Sequence, residues 1–184
     1  MPELILASAS PRRRELLSQI APTFSVVPSA FEEAGKGRAE ETALAFAKGK
    51  AEDVFQKYPS ALVLGADTVV CLGGSVLGKP KDKADAASML KLLSGREHSV
   101  FTGVYLVKEG AVRQAVVETR VTFEALSEEF ITRYIESGSP MDKAGAYGIQ
   151  DGGLVRSYAG SYSNVVGLPL ETVRRFLEEL GYYD

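Results

Sequence analysis

Residues 62–81, LVLGADTVVCLGGSVLGKPK, decide how this chain is read. Ala61-Leu62-Val63-Leu64 is a short apolar run, the pattern of a buried strand. Gly65-Ala66-Asp67-Thr68 follows, so an acid stands where that strand is expected to end. A carboxylate there is costly unless it is paired, hydrated or bound to a metal, and in open α/β sheets ligands sit at strand ends. Val69 to Leu72, a Gly73-Gly74 turn and Ser75-Val76-Leu77 then make a hairpin signal that delivers Gly78-Lys79-Pro80. Asp67 and Lys79 therefore lie on two short arms of one hairpin. A capping Asp67 and a solvated Lys79 are the plainer alternative, and the flanking motifs decide between them.

Upstream, Leu4-Ile5-Leu6-Ala7 reads as another buried strand. Ser10 is a good N-cap, Pro11 suits the first helical position, and Leu16, Leu17 and Ile20 give the helix an apolar face. Arg12, Arg13 and Arg14 crowd into its first turn. That end of a helix already carries positive partial charge and free N–H groups, so cations are disfavoured there. An external anion reverses the argument, which points these arginines at phosphate rather than at a solvated basic face or Glu15. Thr23 to Val27 reads as a strand ended by Pro28-Ser29. Glu32 and Glu33 fall in the loop that runs on to Gly35 and Gly37. Adjacent acids are usually solvated, but their oxygens also suit Mg²⁺, which takes few protein carboxylates and completes its shell with phosphates. Residues 39–57 have helical spacing, with Leu44, Ala47, Ala51, Val54 and Phe55 on one face. Lys50 lies at the border of that face, where a lysine snorkels to water or points into a cleft.

Downstream, Asp82 caps a helix with Ala86, Met89, Leu90 and Leu93 as its apolar face, and Gly95 ends it. Ser99 to Val107 and Val112 to Phe123 form a long antiparallel hairpin turning at Glu109-Gly110. His98, at its start, reads as structural; a place near a site is open to Thr102 and Gly103, but no pattern establishes it. Ser127 caps a helix through Glu136, closed by Gly138 and Pro140. In residues 142–153, DKAGAYGIQDGG, small residues surround one aromatic, one amide and a few charges. Such a segment can lie against a flat ring and offer a few polar groups; an ordinary glycine-rich loop is the alternative. Leu154-Val155 and Tyr162 to Val166 read as strand pieces, and Pro169 opens a last helix. Strand–helix units followed by a long hairpin make a mixed α/β sheet, elongated, with a cleft between two lobes.

Composition narrows the function classes. The chain has 184 residues, enough for one domain with a sizeable core. A net charge of −3 argues against a general nucleic-acid binder, so a polyanionic ligand needs a local basic site. One cysteine and one histidine exclude an internal disulfide and a Cys/His metal cluster, and Cys71 reads as a small buried hydrophobe. The N-terminus lacks a secretory pattern and no apolar run approaches the ~20 residues of a membrane span. A cytoplasmic protein with no membrane partner is expected. The glycines fit neither a Walker A loop nor a dinucleotide fingerprint.

Six segments in order resemble the Maf family of nucleoside triphosphate pyrophosphatases: LASASPRRREL at 6–16, GADTVV at 65–70, LGKP at 77–80, LSGREHSVFTGV at 93–104, DKAGAYGIQ at 142–150 and GSYSNVVGLPL at 160–170. The resemblance implies one domain over 1–184, with an elongated mixed-sheet α/β fold similar to the inosine triphosphate pyrophosphatases. It implies cleavage of a nucleoside triphosphate to monophosphate and pyrophosphate with a divalent cation, Mg²⁺ or Mn²⁺, and a house-cleaning role linked to arrest of cell division. It makes Asp67 the general base, and Arg12, Arg13, Lys50 and Lys79 the phosphate-binding residues. Glu33 becomes the essential acid near the metal, with Asp67 beside it. Arg12, Thr68 and Gln150 become specificity positions. AGAYGIQ is similar to the branch acting on dTTP and UTP; the branch acting on 7-methyl-GTP tends to carry a Phe-containing segment and a Glu in place of Tyr147 and Gln150. Asp151, often Gly in that first branch, puts a negative charge beside the expected base-reading loop. Glu32-Glu33 departs from a common Asp-Glu but keeps the acid that matters.

The residues fit that chemistry. Water attacking the α-phosphorus needs a proton acceptor and cations around the phosphates. A nucleotide-binding regulator of septum formation without turnover is the main alternative, and it would need no base. A nucleic-acid-binding module is a weaker one. A homodimer is the one assembly allowed for beyond a monomer.

Overall fold

The apolar run that begins at Leu62 does not stop at Asp67. In the computed structural model, which describes residues 2–34 and 37–184, it continues as one strand of 11 residues, β3 (Leu62–Leu72). Asp67 is thus mid-strand, a correction to the expected strand end. The reason lies in the partners of β3. On one side it pairs along most of its length with antiparallel β5 (Glu97–Lys108), with Asp67 opposite Gly103. On the other side parallel β1 (Leu4–Leu6) covers only Leu62 to Leu64, and β4 (Ser75–Leu77) covers only Val70 to Leu72. Residues 65–69 lie between these two pairings. That gap, rather than a strand terminus, is where the sheet opens.

The sheet order is β2-β1-β3-β5-β6-β7, with β4 on β3. Here β2 is Ser25–Val26, β6 is Ala111–Phe123 and β7 is Val155–Ala159. The helices are α1 (Pro11–Ser18), α2 (Ala39–Phe55), α3 (Lys83–Leu93), α4 (Glu128–Glu136), α5 (Tyr162–Val166) and α6 (Leu170–Glu179). Short 3₁₀ turns, Ser139–Asp142, Ala144–Ala146 and Ile149–Asp151, follow α4. Ser10, Asp82 and Ser127 cap their helices as their positions suggest. Gly35 lies outside the described residues.

Period-two alternation divides β3 between two faces. Leu62, Leu64 and Ala66 join one core with Leu16, Leu17, Val173 and Leu177 of α1 and α6. Val70, on the same face, joins a second core with Leu90, Leu93, Val121, Phe123, Ile131 and Tyr147. Thr68 lies between them, so these two cores are the two lobes. On the other face Val63 packs against Ala47, Ala51 and Val54 of α2.

The buried stripe of α2 is Ala39, Ala43, Ala47, Ala51 and Val54; Leu44 and Phe55 are only half-buried. Alanines win because the helix rides directly on the strands. A Cβ at Gly65 would collide with the Ala47 carbonyl, and one at Gly103 with the Ala43 carbonyl. Two further expectations need correcting. Tyr162 to Val166 is helical, because Ser161 caps it by accepting from the Asn164 N–H. Cys71 is half-buried rather than buried, its Sγ donating to the Gly73 carbonyl.

Candidate active site

The gap beside β3 is one wall of a cleft of about 740 Å³, and the cleft lining includes Arg12, Arg13, Glu33, Lys50, Asp67, Thr68, Lys79 and Gln150. All eight residues singled out from the sequence therefore share one cavity. Because the edge of β3 is open here, the cleft takes Asp67 from one face of the strand and Thr68 from the other.

Asp67 is 8% exposed and faces α2. Lys50 leaves α2 on the flank of the alanine stripe and points into the cleft rather than to water. Its Nζ donates to Asp67 Oδ1 at 3.1 Å and lies 2.6 Å from Glu33 Oε1. One ammonium thus bridges two carboxylates from segments far apart in sequence. Burial pushes the Asp67 carboxyl above the ordinary carboxylate range, and Glu33 adds to the push; Lys50 and Arg13 oppose it without cancelling it. Burial also pushes Glu33 up, but the Lys50 hydrogen bond and charge, aided by Lys79, outweigh it and hold Glu33 below that range. The two acids are therefore driven apart, one toward a proton acceptor and one toward a fixed anion.

Arg13 is held on three sides. Its Nε donates to the Gly167 carbonyl at 2.8 Å, one terminal nitrogen to Thr68 Oγ1 at 3.0 Å and the other to Ser8 Oγ at 3.5 Å. Burial lowers its pKa, with Asp67 opposing, yet a guanidinium stays charged. Thr68 Oγ1 also meets Thr102 Oγ1 at 2.9 Å, and Thr102 donates to the Asn164 carbonyl. Asn164 in turn donates to the Val100 and Val117 carbonyls and to Thr119 Oγ1. Ser8, Asn164 and Gly167 are the residues that the sequence reading missed. Their signal was faint: small residues at 7–10, and one amide in an apolar run. Arg12 pairs with Asp142 at 3.0 Å across the cleft. Lys79 is exposed on the rim, carried there by β4.

The segment 142–151 forms the opposite wall. Gln150 is exposed and its side chain lies beside Gly148. Asp151 turns away from the cleft: its Oδ2 accepts from Tyr134 at 2.6 Å and from Ser139 at 2.7 Å. The Gly148 N–H donates to that same Tyr134 hydroxyl. The added charge at Asp151 thus fastens the segment to α4 instead of facing the ligand. Tyr147 is buried, its hydroxyl 2.6 Å from His98 Nε2, and burial raises its pKa. Burial pushes His98 down to about 4, so its ring is neutral at ordinary pH.

Among the described residues no three His, Cys, Asp or Glu side chains group as a ready-made metal cage. The Glu33–Asp67 pair nonetheless fits a hard divalent cation. Such an ion needs one or two carboxylates and takes its remaining oxygens from water and substrate phosphates. The Lys50 ammonium between them marks the place as one that holds positive charge.

The likenesses to known proteins agree with this geometry. The chain is 50% identical over 181 residues to a dTTP/UTP pyrophosphatase of Thermococcus gammatolerans, covering 97% of each chain. It is 50% identical over 186 residues to a dTTP/UTP pyrophosphatase of Symbiobacterium thermophilum, covering 99% of this chain and 96% of the relative. The fold is shared with the Staphylococcus aureus Ham1 protein at a TM-score of 0.59 and 16% identity, covering 97% of this chain and 99% of the other. The model of Maf-like proteins matches residues 3–180, and the chain belongs to the Maf family.

Proposed function

We propose that this chain, acting as one domain over 1–184, hydrolyses nucleoside triphosphates to the monophosphate and pyrophosphate, with UTP and dTTP preferred. The observation that carries the reading is the buried Asp67, raised in pKa and ringed by Lys50 and Arg13 in the one cleft that also holds Arg12, Lys79 and Gln150. The relatives' names support the same chemistry and the same two substrates.

In this reading Arg12, Arg13 and Lys79 bind the phosphate chain, and Lys50 moves from its carboxylates to a phosphate oxygen as the nucleotide enters. Asp67 accepts a proton from water at one carboxylate oxygen. The water oxygen bonds to the α-phosphorus, the bond from that phosphorus to the α–β bridging oxygen breaks, and pyrophosphate leaves with the bond's electron pair. Glu33 and Asp67 would hold a divalent cation, Mg²⁺ or Mn²⁺, which when bound neutralises phosphate charge and acidifies water. Gln150 offers both a donor and an acceptor to the uracil or thymine edge, with Thr68 and Arg12 as the other specificity positions. A free nucleotide, rather than a nucleic acid, is the ligand this cleft is suited to. No helix among the described residues is long and apolar enough to cross a membrane; the reading places the enzyme in the cytoplasm.

The test is to incubate the purified protein with each nucleoside triphosphate and Mg²⁺ and to identify the phosphorus products. Pyrophosphate and monophosphate in equal amounts are expected. Nucleoside diphosphate and orthophosphate would instead mean cleavage of the β–γ anhydride.

A further inference from the structure

Glu33 comes from a segment with no secondary structure of its own: residues 27–34 are neither helix nor strand. Yet its carboxylate stands 2.6 Å from Lys50. Something must hold that segment in place, and a second stripe of α2, beside the alanines, does so. Phe46, Gly49, Lys50 and Asp53 are spaced i, i+3, i+4 and i+7, which puts them on one helix face. Each meets the segment. Asp53 Oδ2 accepts from the Ala30 N–H at 2.8 Å and from the Ser29 hydroxyl at 3.0 Å. The Ser29 hydroxyl accepts in turn from the Phe31 N–H at 3.0 Å. The Phe31 ring sits edge-on to Phe46, with centroids 6.2 Å apart, and directly over Gly49. A Cβ at Gly49 would occupy the place of that ring.

We propose that Asp53 and Gly49 are positioning residues: they clamp residues 29–33 onto α2 and so hold Glu33 where it faces Lys50 and Asp67. This rests on the reading of Glu33 as the acid beside a divalent cation. Neither Asp53 nor Gly49 touches the reacting atoms. Their effect is to pre-organise a group that a loose segment would present only part of the time, and so to set metal affinity.

Two measurements on the full chain test this without turnover. Hydrogen exchange of the free protein reads docking at the Ala30 and Phe31 amides. Loss of the free Mn²⁺ signal in electron paramagnetic resonance, in the presence of α,β-methylene-UTP and beyond the loss that the same analogue causes without protein, reads metal affinity. In Asp53→Ala, exchange at Ala30 and Phe31 should rise about tenfold or more while α2 amides stay protected. Mn²⁺ affinity should fall about tenfold. Asp53→Asn keeps an acceptor and should recover most of both. Gly49→Ala separates the clamp from mere stability. Alanine favours the helix, so the melting temperature should hold or rise while Mn²⁺ affinity falls. Adding Gly49→Ala to Phe31→Ala should cost nothing further, because the ring it displaces is gone.

Unchanged exchange in Asp53→Ala overturns the proposal, as does raised exchange with unchanged Mn²⁺ affinity. If Asp53→Ala fails to fold, Gly49→Ala alone decides by the same two measurements. A wild-type protein that binds Mn²⁺ with the analogue yet releases no pyrophosphate from UTP removes the proposed function instead, and leaves the clamp standing or falling on its own data.

Discussion

At the residue scale the account turns on Asp67, an acid whose ionised form the fold disfavours. Its pKa is raised by burial, so the folded state favours the neutral form relative to the unfolded chain. The linkage sign follows: ionised Asp67 subtracts from stability, and its protonation as pH falls restores it. Asp67→Asn should therefore lower turnover by about 10²–10⁴ while the melting temperature of the free protein rises rather than falls. Calorimetry beside steady-state kinetics checks both; a destabilised variant would mean that the Lys50 pair, not burial, dominates. The same shift sets the pH profile. As the proposed base, Asp67 would work only when ionised, so the acid limb of kcat/KM should lie above the ordinary carboxylate range and vanish in Asp67→Asn. At this scale the sequence was readable for charged residues, because an arginine cluster at a helix start or an acid in an apolar run is anomalous on its own. It was not readable for Ser8, Asn164 or Gly167. Asn164 matters through hydrogen bonds to β5 and β6, and Gly167 through one backbone carbonyl to Arg13, roles that leave at most a faint mark in a one-dimensional pattern.

At the scale of elements, the site depends on how closely α2 approaches the sheet. Gly65→Ala places a methyl against the Ala47 carbonyl and the Ala51 amide. It should destabilise the fold by about 1–3 kcal/mol and lower turnover, because the helix that carries Lys50 must retreat from the strand that carries Asp67. Urea unfolding and kcat measure the two effects, and a fully stable, fully active variant would contradict the packing argument. His98 tests the second lobe. It is the chain's one histidine, so its ring proton signal in NMR is unambiguous and should titrate at about 4. A histidine whose pKa falls on folding costs stability as pH drops from the unfolded value toward the folded one, here by about 3 kcal/mol between pH 6.5 and 4. Titration near 6.5 would show that the ring is not enclosed by Phe123 and Tyr147. Helices with a strong cap were legible in advance, as at Ser10, Asp82 and Ser127. Residues 162–166 were not, because Tyr, Val and Val favour a strand locally and only the Ser161 cap and its tertiary setting make them helical. Nor was the unbroken course of β3, since the pairing that carries it through residues 65–69, with β5, is non-local.

At the scale of the whole molecule, the mixed sheet and two lobes follow the order of elements in the chain, and the cleft between them gathers residues from both halves. On the proposed reading, that arrangement puts phosphate binding largely on one wall and base choice on the other: any triphosphate would meet Arg13, Lys50 and Lys79, Arg12 would serve both tasks, and Gln150, on the far wall, would meet the base. Gln150→Glu should lower kcat/KM for UTP by roughly tenfold or more, because a carboxylate cannot donate to a carbonyl and leaves it unpaired. Cleavage of inorganic tripolyphosphate, which has no base, gives the control. Equal losses on both substrates would mean that Gln150 shapes the cleft without reading the base. The most direct test of the central claim is kcat/KM for UTP, dTTP, CTP and GTP with Mg²⁺, followed by phosphorus NMR of the products. The account predicts pyrophosphate as the phosphorus product released with each monophosphate, with UTP and dTTP the fastest substrates. Orthophosphate in place of pyrophosphate, or no turnover of any of the four, would contradict it.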